Sequence, residues 1–313
     1  MKEELIISGR MNPNIDPVLH IWHWQIPLYL FLGGLAAGIL FFAGLYTILG
    51  KGDKYRGAVV YAPFVAPLAL VLGLIALFLD LKHQLYFWRL YTTIKLESPM
   101  SWGAWTLIAI TPLSFLWAAL NIREIFPQWK WKFTFLDTLE EFFRRHIIPL
   151  AWALVVLSVI LGIYTGILFS AFNARPLWNT SILGPLFLTS GLSTGAATII
   201  ILARSHKERM MFSRIDLGLI IVELFFIVHM FMGFLASTQV QIDAAALFLG
   251  GPYTAPFWVL VVGMGLVLPA ILEAMELAKF RVPAIIPASL VIFGGIMLRF
   301  IIANAGQVSR WLY

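Results

Sequence analysis

Two small polar clusters interrupt long apolar runs in this chain. One opens the first run: His20, Trp22, His23, Trp24 and Gln25, with Tyr29 one helical turn below Gln25 on the same face. The other, Asp80, Lys82 and His83, closes the second run. Tyr164 in "GIYTGILF", Asn173 and Arg175 in "NARPLWNT", and Arg299 and Asn304 near the end complete the set. Together they offer imidazole, carboxylate, phenol and guanidinium groups. Such groups hold the oxygens of a small ligand and carry its protons. Beside apolar helices each is expensive to bury and so is a functional candidate. Ordinary roles stand beside the chemical ones. Trp22 and Trp24 suit interfacial anchoring, Lys82 can snorkel, and Asp80 with Arg299 could form a structural ion pair.

The elements that position these groups are membrane helices. Of 313 residues, 60% are hydrophobic and 12% charged, about half the charged fraction of a soluble domain. Eight apolar stretches are long enough to cross a bilayer: 21–49, 57–79, 102–122, 147–170, 180–203, 214–237, 254–277 and 283–304. This predicts an all-α integral membrane protein with almost no soluble part. The first 18 residues mix charges and lack a small-residue cleavage site, so the first helix is expected to be retained. With no cysteine, the protein itself can neither ligate an iron–sulfur cluster nor form a disulfide. The net charge of +6 needs no nucleic-acid partner. Of the 22 basic residues, 14 fall in odd-numbered loops, while the even-numbered loops hold only Lys82, Arg89, Lys95 and Arg175. The positive-inside rule then makes the odd loops cytoplasmic and puts both termini outside. The clusters above share that outer face.

The third loop, "WKWKFTFLDTLEEFFRRH", spaces Phe135, Leu136, Leu139, Phe142 and Phe143 as an amphipathic interfacial helix would. A weak internal echo links "FLGGLAAG" in the first span with "LTSGLSTG" in the fifth: Gly34 to Gly38, and Gly191 to Gly195. Four helices lie between the two starts. Two halves related by an axis along the membrane normal would give that pattern, although small-xxx-small is common wherever membrane helices pack. The expected division is a first four-helix bundle within 1–145, with the interfacial segment, and a second within 146–313.

The outer cluster suits a quinone head group, which needs hydrogen-bond partners at two oxygens and an acid or imidazole for its protons. Spacing alone leaves an ion or another small ligand open. A b-type haem finds poor support, because only His229 lies well inside a span; pairing it with His23 is the one arrangement left. Deeper polar groups are Ser190, Ser193 and Thr194, Glu223 about halfway across, and Glu273 and Glu276 near the cytoplasmic end. Glu223, with Ser190 or Arg214, could form a proton path. Glu273 and Glu276 could simply face water. No metal site is expected.

In these residues the sequence resembles the NrfD/PsrC-type membrane subunits of polysulfide reductase and related molybdenum oxidoreductases. The resemblance rests on "WHW" before a small-residue helix, "SPMSWGAW" entering span three, "YTG" with "NARPLWN" closing span four, and "LRFIIANAGQ" at the end. It implies two four-helix bundles without a redox centre or substrate-reducing site of their own. It implies a menaquinone-type site at the outer face of the cytoplasmic membrane. It also implies a partner subunit with [4Fe–4S] clusters and, beyond it, a catalytic subunit with molybdopterin. Electrons would pass between the quinone pool and that partner, serving a polysulfide-type reductase. Carried over by motif, Tyr164 and Asp80 would be catalytic, and His23, Gln25, Tyr29, Asp80, Tyr164, Arg175 and Arg299 would line the quinone site. Asp80 is shorter than the glutamate expected there. Trp178 and Gln307 belong to the same motifs. Two other readings are a secondary transporter, which Glu223 and the echo would suit, and a plain anchor, which the buried charges argue against.

Overall fold

The computed structural model describes residues 22–309, and these contain helices and connecting segments but no strand. His20 lies outside the described residues. Eight helices are long and apolar enough to cross a membrane: Gln25–Ile48, Gly57–Asp80, Pro99–Ile125, Ile147–Ser170, Leu183–Leu202, His206–Leu235, Pro256–Leu277 and Ile285–Val308. They are called spans one to eight. Span six begins at His206 rather than 214, because hydropathy marks where the bilayer begins, not where helical winding begins. Span eight likewise runs on to Val308. Span one starts and span eight ends on one side, here called the terminal face; the other side is the opposite face.

Proline shapes two spans. Pro63 has no N–H to offer the carbonyl four residues back, that of Val59. The backbone there winds wide over Gly57–Tyr61 and tight over Ala62–Phe64 before becoming α-helical. The Trp117 indole of span three donates to the Val59 carbonyl instead, at 3.1 Å. In span seven a wide-wound Pro256–Val267 precedes the α-helical Leu268–Leu277, and Pro269 sits just past the change.

Spans one and five form the centre. In them 78% and 72% of the apolar window is buried, against at most 50% in the other six. They meet through the two echoed motifs. A Cβ at Gly38 would lie 2.0 Å from the Gly191 carbonyl oxygen, one at Gly191 2.8 Å from that of Gly34, and one at Gly195 2.5 Å from the Gly38 carbonyl carbon. Only glycine permits this approach. Around the crossing, neighbours close two rings: one-two-three-four and five-six-seven-eight. The rings also touch through spans four and five and through spans eight and one, contacts that a two-fold exchange of halves interchanges. One sequence offset relates Gly34 to Gly191, Gly38 to Gly195, Pro99 to Pro256 and Pro112 to Pro269. Span four, Ile147–Ser170, packs against spans one, three and five.

The connector between spans three and four carries the amphipathic helix, Thr134–Arg145. Phe135, Leu139 and Phe142 are exposed on one side, where an interfacial helix meets lipid. The other side turns Glu140 inward, where it accepts from Trp131 at 2.7 Å and Arg144 at 2.9 Å and lies 3.4 Å from Arg123. Between the rings on the opposite face, Glu208 of span six accepts from the Gly57 and Ala58 amides at 3.1 and 3.0 Å. It thereby satisfies two open donors at the start of span two.

Candidate functional site

The first ring builds a tyrosine pair. Tyr29 of span one and Tyr164 of span four are both buried, and their phenols lie close enough to interact. Each ring lies against a glycine. A Cβ at Gly103 of span three would fall 1.9 Å from Tyr164 Cζ, and one at Gly73 of span two 3.6 Å from Tyr29 Cδ2. The "SPMSWGAW" and "YTG" motifs are therefore one contact: Gly103 makes the space that Tyr164 fills. Gly166, the glycine of "YTG", serves another junction, where a Cβ would meet the Leu183 carbonyl oxygen of span five at 2.1 Å.

Around this pair lie further polar groups. Gln25 Oε1 is buried and has no hydrogen-bond partner among the described residues, one turn from Tyr29. Tyr91, from the short helix Arg89–Thr92 on the terminal face, is close enough to interact electrostatically with Tyr29. Burial raises the Tyr91 phenol above its ordinary value. The Trp105 indole holds its backbone, donating to the Tyr91 carbonyl at 3.3 Å. Sequence reading missed Tyr91, which sits in a connector with no apolar periodicity to mark it. An apolar groove of about 390 Å³ between spans three and four runs past Pro99, Trp102, Val159 and Ile163 to Tyr164.

His23 and Asp80 also come together, Nδ1 to Oδ1 at 3.8 Å, with the His23 side chain 65% exposed and that of Asp80 13%. They lie nearer the terminal face than the tyrosines. Seven residues separate Gly73, beside Tyr29, from Asp80, roughly 10 Å along a helix. The expected single pocket is thus two levels, phenols below and a carboxylate–imidazole pair above. His229 is exposed and stacked on Phe225 at 5.6 Å, so it makes no pair with His23.

Two residues expected beside the quinone stand elsewhere. Arg175 donates to the backbone carbonyls of Gln307 and Ser309 at 3.0 and 2.8 Å. The Trp178 indole donates to the Ile302 carbonyl at 2.9 Å and lies over Gly306, where a Cβ would fall 1.7 Å from Nε1. Gln307 exchanges two 2.9 Å hydrogen bonds with the backbone of Trp22. Trp22 stacks on Trp178 at 5.0 Å and so is no free anchor, whereas Trp24 is exposed. Three motifs, "WHW", "NARPLWN" and "LRFIIANAGQ", therefore form a clasp that ties the start of span one, the link between spans four and five, and the end of span eight.

Arg299 is the second displaced residue. Fully buried, it donates to Ser190 Oγ at 2.6 Å and to the Gly295 and Phe187 carbonyls at 3.0 Å each. A Cβ at Gly34 would press on its Nη2 at 3.2 Å. It heads a polar row inside the second ring. The Glu223 carboxyl lies near Ser190 and feels the Arg299 charge. Two turns along span six lies Asp216, accepting from Ser193 at 2.5 Å and facing Glu273 of span seven. Asp216 Oδ2 and both Glu273 carboxyl oxygens have no hydrogen-bond partner among the described residues, and the two carboxyls face each other. Glu276 is next, 3.4 Å from Ser213 Oγ. Arg214, the basic residue assigned to a path here, is exposed; its helix face turns away from the row. Asp216 escaped sequence reading because a span starting at 214 would leave it at the boundary. Glu273 and Glu276 are buried, not turned to water.

The family described as "Polysulphide reductase, NrfD" matches residues 11–309. The C subunit of the polysulfide reductase of Wolinella succinogenes is 33% identical over 92% of this sequence and 94% of its own. Protein NrfD of Escherichia coli is 32% identical over 92% and 96%, and the NrfD homolog of Haemophilus influenzae 28% identical over 92% and 95%. By architecture, by motif order and by these matches across nearly its whole length, this multi-pass membrane protein belongs to the NrfD polysulphide reductase family.

Proposed function

We propose that the protein is the quinone-reactive membrane subunit of an oxidoreductase complex. It exchanges electrons between a menaquinone-type quinone and an iron–sulfur subunit docked on the terminal face, which looks away from the cytoplasm. A molybdopterin subunit beyond it reduces a sulfur compound; the similarity to a polysulfide reductase subunit supports polysulfide as the class. One observation carries the reading: two buried phenols that interact with each other, Tyr164 of the pair lining an apolar groove between spans three and four, with an unpartnered amide oxygen one turn from Tyr29.

These residues fit a quinone head group. Tyr29 and Tyr164 can each donate or accept, Gln25 Oε1 lacks a donor, and the groove at Tyr164 suits an isoprenoid tail. A bound quinol supplies two electrons and two protons. Tyr29 and Tyr164 orient the ring oxygens; the wall at Gly103 fixes the Tyr164 ring and limits its rotation. Asp80 and His23 take protons onward, Asp80 from its largely enclosed place and His23 toward water. Arg175 and Arg299 hold the frame. Ser190 and Glu223, continued by Asp216, Glu273 and Glu276, form a separate proton route through the second ring toward the opposite face.

The test is Tyr164→Phe in the intact complex, which keeps the ring over Gly103 and removes only the hydroxyl. Quinol-dependent turnover is expected to fall about 100-fold, the scale of a lost proton-transfer or orienting group, with artificial-dye reduction by the partner subunits unchanged. Full quinol turnover in the variant would end the assignment.

A further inference from the structure

The connecting loops on the terminal face, between spans two and three, four and five, and six and seven, hold four basic residues: Lys82, Arg89, Lys95 and Arg175. Arg175 is turned inward to the clasp. The other three line a single cavity of about 490 Å³, together with His83. None of the three is paired with a carboxylate among the described residues. Arg89 lies instead over the rings of Tyr86 and Trp88, at 5.6 and 6.0 Å. Gathering the scarce cations of one face around one cavity, with no carboxylate in its lining, leaves a place for an anion.

The anion must have a tail. Leu81, Phe87 and Leu90 form one wall of the basic cavity and also of a second, apolar groove of about 310 Å³. That groove runs along the outward side of span two past Val71, Ile75 and Phe78, and Ile75 and Phe78 are exposed where lipid chains lie. A charged cup that continues into a greasy groove at membrane depth matches an amphipathic molecule with an anionic head. We infer that this pair of cavities is a binding site for an anionic phospholipid. The phosphodiester sits among Lys82, Arg89 and Lys95, and one acyl tail lies along span two. The lipid braces the connector 81–98, which carries Tyr91 toward Tyr29. The two cavities are distinct from the groove that reaches Tyr164; Tyr91, which interacts with Tyr29, lines the near end of the apolar one.

The test uses the complex purified in mild detergent, delipidated and titrated with dioleoyl phosphatidylglycerol or dioleoyl phosphatidylcholine, with bound lipid counted by native mass spectrometry. The native complex is expected to retain phosphatidylglycerol in preference to phosphatidylcholine. A Lys82→Gln, Arg89→Gln, Lys95→Gln variant should hold phosphatidylglycerol about 100-fold more weakly, on the scale of three basic residues acting on an anionic headgroup, with phosphatidylcholine unaffected. Ile75→Trp, on a lipid-exposed surface that folding tolerates, should weaken retention of both by filling the groove. Equal phosphatidylglycerol retention in native and triple variant overturns the proposal. So does displacement by excess inorganic phosphate, which would mean a headgroup site without a tail, or by a short-tailed menaquinone analogue, which would make it a quinone site. Loss of a partner subunit from the triple variant with lipid retention intact would make the patch a protein-docking surface and likewise overturn it.

Discussion

The two four-helix rings share an architecture and differ in their polar content. The first holds phenols, Tyr29 and Tyr164, at the end of a groove open to lipid, with a carboxylate–imidazole pair toward the terminal face. The second holds a guanidinium and four carboxyls, Arg299, Glu223, Asp216, Glu273 and Glu276, sealed from lipid and running toward the opposite face. Phenols beside an opening suit a neutral, greasy ligand that must enter and leave. Enclosed carboxyls beside Ser190 and Ser193 suit a proton that never leaves polar company. One helical plan has been filled with two chemistries. The join between them is span one, which turns Tyr29 toward the first ring and sets Gly34 against Arg299 of the second.

The join is where the largest effect is expected. Gly38→Leu would drive a side chain into the Gly191 backbone, from which even a Cβ stands only 2.0 Å away. The opposing atoms are main chain, so neither helix can relieve the clash by a rotamer change. The cost exceeds the roughly 1–3 kcal/mol of ordinary overpacking, and the variant should be nearly absent from membranes. Gly33→Leu, next to Gly34 but turned from the crossing with open space at its Cβ, should accumulate normally. Immunoblots of membrane fractions compare the two. Normal accumulation of Gly38→Leu would mean that the halves do not depend on this crossing.

Much of the frame was legible before any coordinates. The eight spans, the interfacial helix and the glycine echo follow from hydropathy and spacing, which bilayer thickness and close helix packing impose directly. The site was legible only in part. Tyr29, Tyr164, Gln25, His23 and Asp80 stand out in the sequence as polar groups near one face, but their separation into two levels depends on helix register, which a set of residues near one face does not carry. Arg175 and Arg299 are rare charges beside motif glycines and tryptophans, and that pattern reads the same whether the charge meets a ligand or a backbone carbonyl. The hydrogen bonds to Gln307, Ser309, Gly295 and Phe187 make the distinction. Asp216 was missed because it lies where a hydropathy window changes sign, and Tyr91 because it sits in a connector with no apolar periodicity.

A smaller effect should separate the chemistries of the two rings. Glu223→Gln keeps the shape and a hydrogen-bonding group toward Ser190 but cannot cycle a proton. Asp216→Asn does the same at the next step. If the row is a proton route, each variant lowers the protons moved per electron pair in reconstituted vesicles while quinol oxidation stays within about threefold of native, a minor loss beside those typical of removed acid–base groups. Unchanged proton stoichiometry in both would reduce the row to a structural network. Loss of quinol oxidation equal to that of Tyr164→Phe would merge the two chemistries into one site.

The smallest effect is expected at Arg214, and it sharpens the comparison by its size. Arg214 lies two residues from Asp216 and one from Ser213, yet it is exposed while both neighbours are buried. Consecutive helical residues point about 100° apart, so one residue belongs to the row and the next to the surface. Arg214→Gln removes a charge that the solvent or headgroup region already screens. It should leave quinol turnover, proton stoichiometry and accumulation all unchanged, measured beside Asp216→Asn in the same vesicles. A fall in proton stoichiometry as large as that of Asp216→Asn would show that the route reaches the surface through Arg214. The row would then end there, and Glu273 and Glu276 would be a branch that closes the helix ends rather than carries protons.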